Sequence, residues 1–149
     1  MAIDIQGWIE VCRRGGEECQ EEHSWSGVVN LGTLIDYTDD VSEYLFGISK
    51  RAVGGSGVDA IAANRGLPPN PSDSVRHDME RIRAHESQYG SGEFGGYTFA
   101  TWHEIQAARL APEQLAESYW RHAFELTLSL IRFWNLSDHQ IRFVVWYDW

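Results

Sequence analysis

Two segments, one at each end of the sequence, alternate apolar and polar residues. In the first, Ile3, Ile5, Ile9 and Val11 share one side, and Asp4, Gln6, Trp8 and Glu10 the other. In the last, Ile141, Phe143, Val145 and Tyr147 alternate with Arg142, Val144, Trp146 and Asp148. A repeat of two marks a strand, because successive side chains point to opposite faces of a sheet. Each segment has one strongly apolar side, so the two are expected to pair. Gly7 interrupts the first and predicts a bulge or the close approach of another backbone.

The residues between them read mostly as helices and loops. Val28 to Tyr37 is apolar and β-branched, a second strand or a strand running into a turn. Thr38, Asp39 and Asp40 offer an N-cap, and Val41, Tyr44, Leu45 and Ile48 recur at helical spacing towards Lys50. Ser72 or Asp73 caps a charged helix to about Glu86, with Val75, Met79, Ile82 and His85 as its narrow apolar stripe. Thr101 and Glu104 form a capping box opening a short helix through Arg109. Pro112 suits the first turn of a long helix that continues to Trp134. Residues 13–26, 52–71 and 89–96 are rich in glycine, proline or acidic residues and read as loops. The fold class expected is α+β: a small, mostly antiparallel sheet including both terminal strands, with helices packed on one face, forming a single domain over residues 1–149.

Composition narrows the partners. The chain has 149 residues, 43% hydrophobic and 23% charged, with a net charge of −10. Long nucleic acids are poor partners, since polyanion binding needs many Lys and Arg contacts to phosphates, and an anionic membrane surface is disfavoured likewise. No 18-residue apolar run spans a bilayer, and Asp4 stands where a signal peptide would carry Lys or Arg. A cytoplasmic protein is expected, with Cys12 and Cys19 as free thiols. The six histidines are scattered and no HExxH, HxH or CxxC occurs, so no metal site and no cofactor are expected.

Five segments carry a resemblance: GWIEV at 7–11, LIDYTDDVSEYLFGISKRA at 34–52, NRGLPPNPSDSVR at 64–76, YTFATWHEI at 97–105 and IRFVVWYDW at 141–149. Together they resemble an uncharacterised family of small proteins encoded by phages, prophages and some bacteria. RGLP followed by Ser72 is the most specific piece. The chain departs from that pattern at Ile35-Asp36-Tyr37, where the family often has Arg-Asn-Tyr, and at Gly95 to Phe99, where it often supplies a histidine. The resemblance implies a viral accessory protein. By analogy with small anti-defence proteins, it implies one that sequesters a nucleotide immune signal.

Three constellations are candidates for ligand contact. Arg65 in the RGLP loop presents a planar fork suited to phosphate, or is pinned to a carboxylate or backbone carbonyl. Residues 89–99 place Tyr89, Phe94, Tyr97 and Thr98 beside glycines that let backbone approach a ligand, or form a simple connector. Trp8, Glu10, Arg142, Trp146 and Asp148 fall side by side if the end strands pair, lining either a pocket or a helix-covered sheet face with a cross-strand ion pair. Tyr37, Lys50 and Arg51 bracket the first helix and add local positive charge. The leading expectation is a cytoplasmic, non-catalytic protein holding a small anionic nucleotide-like ligand between these residues. A phosphodiesterase using His103, Glu104 and Glu10, or an acidic protein–protein inhibitor of a host defence protein, is the alternative. The aromatic surplus also fits a homo-oligomer interface.

Overall fold

The computed structural model describes residues 3–49 and 60–149. Its centre is one antiparallel sheet of four strands: β1 (Asp4–Val11), β2 (Ser26–Asn30), β3 (Phe94–Thr101) and β4 (Ile141–Asp148), in the order β2-β1-β4-β3. The two end strands are its middle pair, in register from Asp4 opposite Asp148 to Val11 opposite Ile141. Gly7 is the close approach its position predicts. Its φ is +142°, and a Cβ there would strike the Val144 carbonyl oxygen and sit 2.9 Å from Val145 Cα.

Among the described residues, five α-helices surround the sheet: α1 (Asp40–Phe46), α2 (Asp73–Tyr89), α3 (Trp102–Ala107), α4 (Pro112–Ala116) and α5 (Trp120–Trp134). The predicted caps operate. Asp39 Oδ1 accepts from the backbone N–H groups of Val41 and Ser42, each at 3.0 Å, while Ser42 Oγ accepts from Asp39 N at 2.8 Å. Ser72 Oγ accepts from Val75 N, and Thr101 and Glu104 cap α3 reciprocally. Helix α1 stops at Phe46 because Gly47 turns left-handed, at φ +70°.

Helices cover both faces of the sheet, not one. Ile5, Ile9, Phe143 and Val145 pack into a core with Leu45, Phe46, Trp102, Trp120 and Phe124. On the opposite face, Val75, Met79 and Ile82 of α2 lie on Val144 and Trp146, with Trp8, Phe94, Tyr97 and Phe99 around them. The reason lies in the polar series of the strands, which also carries Trp8, Val144 and Trp146. Fully burying one large apolar side chain contributes roughly 1.5–3 kcal/mol, enough to draw a second helical layer over that face.

Further departures have local causes. The long helix expected from Pro112 is broken between α4 and α5. There Ser118 Oγ accepts from Trp120 N at 3.1 Å and donates to Asp39 Oδ2 at 2.7 Å, tying the break to the α1 cap. Residues 94–99, read as part of a glycine loop, belong instead to edge strand β3. Gly95 and Gly96 lie beneath the Tyr147 ring, where a Cβ on Gly96 would come within 2.7 Å of the ring. The glycines thus make room for an aromatic side chain that protects the edge. Cys12 and Cys19 form a disulfide and are not free thiols. Gly15 and Gly16, at φ +79° and +59°, fold the chain back so that a short 3₁₀ turn (Gly16–Gln20) returns Cys19 to the end of β1. Among the described residues, no helix is long and apolar enough to cross a membrane.

Candidate functional site: a groove beneath helix α2

Trp8, Tyr97 and Trp146 lie on three different strands, β1, β3 and β4, and the sheet brings them together under α2. Trp8 Nε1 donates to Asp78 Oδ2 of α2 at 2.7 Å, and the Tyr97 and Trp146 rings lie 6.0 Å apart. Burial, then Glu86 and Tyr147, pushes the Tyr97 hydroxyl pKa up to about 12. Towards the C-terminal end of α2 this face opens into a groove of about 360 Å³, lined among others by Gln6, Asp78, Arg81, His85, Phe94 and Asp148. Trp146 closes its floor and is only 2% exposed. His85 forms a wall, edge-on to Phe94 with ring centroids 5.6 Å apart, and its Nε2 shares a short hydrogen bond with Glu93.

The groove is acidic. Among the described residues, Arg81 is its one arginine and lies against Asp78, Nη2 to Oδ1 at 3.0 Å. Asp148 is held above the usual carboxylate range, chiefly by burial and then by Glu93 and Asp4, with His85 opposing. Gln6, Asp78 and Asp148 therefore offer acceptors, and a protonated Asp148 also offers a donor. Such a rim suits a flat molecule carrying hydrogen-bond donors better than one carrying several phosphates.

The expected phosphate contacts are engaged elsewhere. Arg142 is 5% exposed and Glu10 is fully enclosed at the other end of this face. Arg142 Nε donates to Glu10 Oε1 at 2.6 Å, Nη1 to Asn70 Oδ1 at 3.2 Å and Nη2 to the Asn70 carbonyl at 2.9 Å. Its guanidinium stacks 3.9 Å from the Trp25 ring centre, while Ser72 N donates to Glu10 Oε2 at 2.6 Å. Burial pulls the Arg142 pKa down and Glu10 draws it back up. These two residues form an internal clamp, the covered-face alternative. A helix over polar strand positions requires such pairing, because an unpaired buried charge is prohibitive.

Arg65 is likewise pinned. It pairs with Glu104 at 2.6 Å and donates to the carbonyls of Phe99 and Ile61 at 3.3 and 3.1 Å. That contact is the main reason the Glu104 carboxyl lies below its ordinary range. Thr98 is fully buried and bonds the Ala62 carbonyl. Tyr37 is exposed in a separate hollow beside Asp36 and Gly32. Lys50 and Arg51 lie outside the described residues. The acid–base set of the phosphodiesterase alternative has no common site: Glu10 sits in the clamp, Glu104 meets Arg65, and exposed His103 stacks on His139 at 4.4 Å.

Sequence reasoning named Asp148 with the strand-face residues but did not pick out Asp78 or Arg81. Asp78, Arg81 and His85 recur at helical spacing, which marks one flank of α2, but nothing local says that this flank borders a groove. Among the described residues, no group of three or more His, Cys, Asp or Glu can hold a metal ion. No protein-family model, curated protein or solved structure matches the chain.

Proposed function

We propose that the protein binds a small nucleobase-bearing molecule without turnover, and that the groove beneath α2 receives the base. The convergence of Trp8, Tyr97, Phe94 and Trp146 on one sheet face, with an acceptor-rich rim at its open end, carries this reading. Base amino groups would donate to Gln6, Asp78 or Asp148, with the ring against His85 and Phe94. Arg81 is 69% exposed along its side chain and can turn to a phosphate outside the groove. The resemblance to phage accessory proteins supplies the setting we propose: sequestration of a nucleotide immune signal in a host cytoplasm. In a reducing cytoplasm the Cys12–Cys19 bridge would open to a dithiol, so this setting requires binding to survive reduction.

The test is isothermal titration with adenosine, ADP-ribose and cyclic dinucleotides, with and without reductant. Saturable heat is expected with at least one of them, weakened by Asp78→Asn. No heat with any of them, and no nucleotide released when the purified protein is denatured, overturns the reading. One observation favours a second reading: Asp148 and the His85–Glu93 pair place an acid and a base in the same groove. Heating the complex separates the two, since a binder returns intact ligand and a hydrolase returns products.

A further inference from the structure

The opposite flank of α2 borders a second groove of about 210 Å³, between the helix and the RGLPPNP loop. Its floor is Leu67, Pro71 and Met79, and its rim carries Arg76, Glu80 and Arg83. The two arginines are seven residues apart on α2, two helical turns along one side. Among the described residues, neither meets a carboxylate as close as the 2.6 Å partners of Arg65 and Arg142. Arg83 makes no hydrogen bond or ion pair with any described residue. Arg76 is anchored by Nε donating to the Pro71 carbonyl at 3.1 Å, yet its Nη2 is enclosed and makes no hydrogen bond with any described residue. The nearest carboxylate to that nitrogen, Glu22, stands 3.5 Å away on a side chain that is 71% exposed.

We propose that this second groove is a phosphate-monoester site, separate from the groove that would take a nucleobase. Two guanidinium groups facing one hollow supply the planar donors that a dianionic phosphate accepts in pairs. Anchored at Pro71 through Nε, the Arg76 guanidinium is held at the rim with its side chain 36% exposed, where a phosphate displaces the loosely held Glu22. Leu67, Pro71 and Met79 pack against a small carbon skeleton, and Glu80 accepts from its hydroxyls. The ligand class is thus a phosphorylated polyol, and the RGLP loop serves it through Leu67 and Pro71 rather than through Arg65.

Ribose 5-phosphate, inorganic phosphate and ribose are the probes, titrated calorimetrically into the intact protein at low ionic strength. Ribose 5-phosphate should bind, inorganic phosphate more weakly, and ribose not at all. Arg83→Gln alters an exposed residue and leaves the far-ultraviolet circular dichroism unchanged. It should weaken ribose 5-phosphate at least about tenfold. Glu22→Gln removes the competing carboxylate and should tighten binding severalfold. Absence of ribose 5-phosphate binding at millimolar concentration, or an unchanged affinity in Arg83→Gln, overturns the proposal. Adenosine titrated into Arg83→Gln reports on the other groove alone, so the two readings fail separately.

Discussion

Replacing Arg142 by Met keeps most of the side-chain volume and removes only the guanidinium. Three hydrogen bonds vanish with it, to Glu10 Oε1, Asn70 Oδ1 and the Asn70 carbonyl, together with the stacking on Trp25. Glu10 then remains a carboxylate at 0% exposure with a single donor, Ser72 N. Breaking a buried pair from one side costs roughly 3–5 kcal/mol, mostly because the remaining charge is uncompensated. A domain of this size holds on the order of 5–15 kcal/mol in all, and each kcal/mol moves its Tm by about 2–4 °C. The expected result is a fall of about 10 °C in thermal unfolding followed by circular dichroism, with a matching drop in the urea midpoint. Glu10→Gln added to Arg142→Met removes the stranded charge and should recover a large part of the loss. A loss under about 1 kcal/mol in Arg142→Met, or no recovery in the double variant, would refute the clamp. Arg142 would then be available to a ligand after all.

Other perturbations probe separate links. Reducing the Cys12–Cys19 bridge frees a loop with a sequence separation of 7 and should lower stability by about 2 kcal/mol, read as a shifted urea midpoint. The effect should exceed loop entropy alone, since the Cys19 carbonyl accepts from Trp25 Nε1 at 2.7 Å and Asn70 Nδ2 at 2.8 Å, bracing the clamp. Gly7→Ala sets a Cβ against the β4 backbone at positive φ and should cost about 3 kcal/mol or more, measured by expression and melting. Glu104 has its pKa lowered in the folded state, chiefly by Arg65, so its contribution is full above the ordinary carboxylate value. It is lost as pH falls through the depressed value. Urea midpoints taken from about pH 6 down to about pH 3 should therefore fall less steeply in Arg65→Met than in the parent.

The end strands were legible because their pattern answers to a single geometric fact, the opposite facing of neighbouring residues. The caps at Asp39, Ser72 and Thr101 were legible because each is a bond between residues two or three apart. What escaped depends on distant partners. Whether the chain between Pro112 and Trp134 bends depends on Ser118 reaching Asp39, and no window around Pro112 contains Asp39. Strand β3 escaped because Gly95 and Gly96 carry no strand propensity of their own. They become acceptable there only once Tyr147 lies over them. The disulfide was hidden by the inference from compartment to thiol, although the two glycines between Cys12 and Cys19 signal a chain that doubles back.

The candidate site was legible in its aromatics and, Asp148 apart, illegible in its charges, and the reason is general. Tryptophan and tyrosine on the polar side of a strand signal that something covers that side, and here α2 does so. Arginine on the same side has two readings, because a covering helix and a ligand both demand that the charge be answered. Only the position of an answering carboxylate decides between them. Glu10 stands directly across from Arg142, and Glu104 follows three residues after the strand end that flanks the RGLP loop, so both arginines are consumed within the fold. Arg76 and Arg83 project from the flank of a helix with no carboxylate of comparable burial beside them. In an acidic chain, the cations unanswered or only loosely answered at a concave surface are the ones to test for a ligand's charge. Here those cations border the second groove.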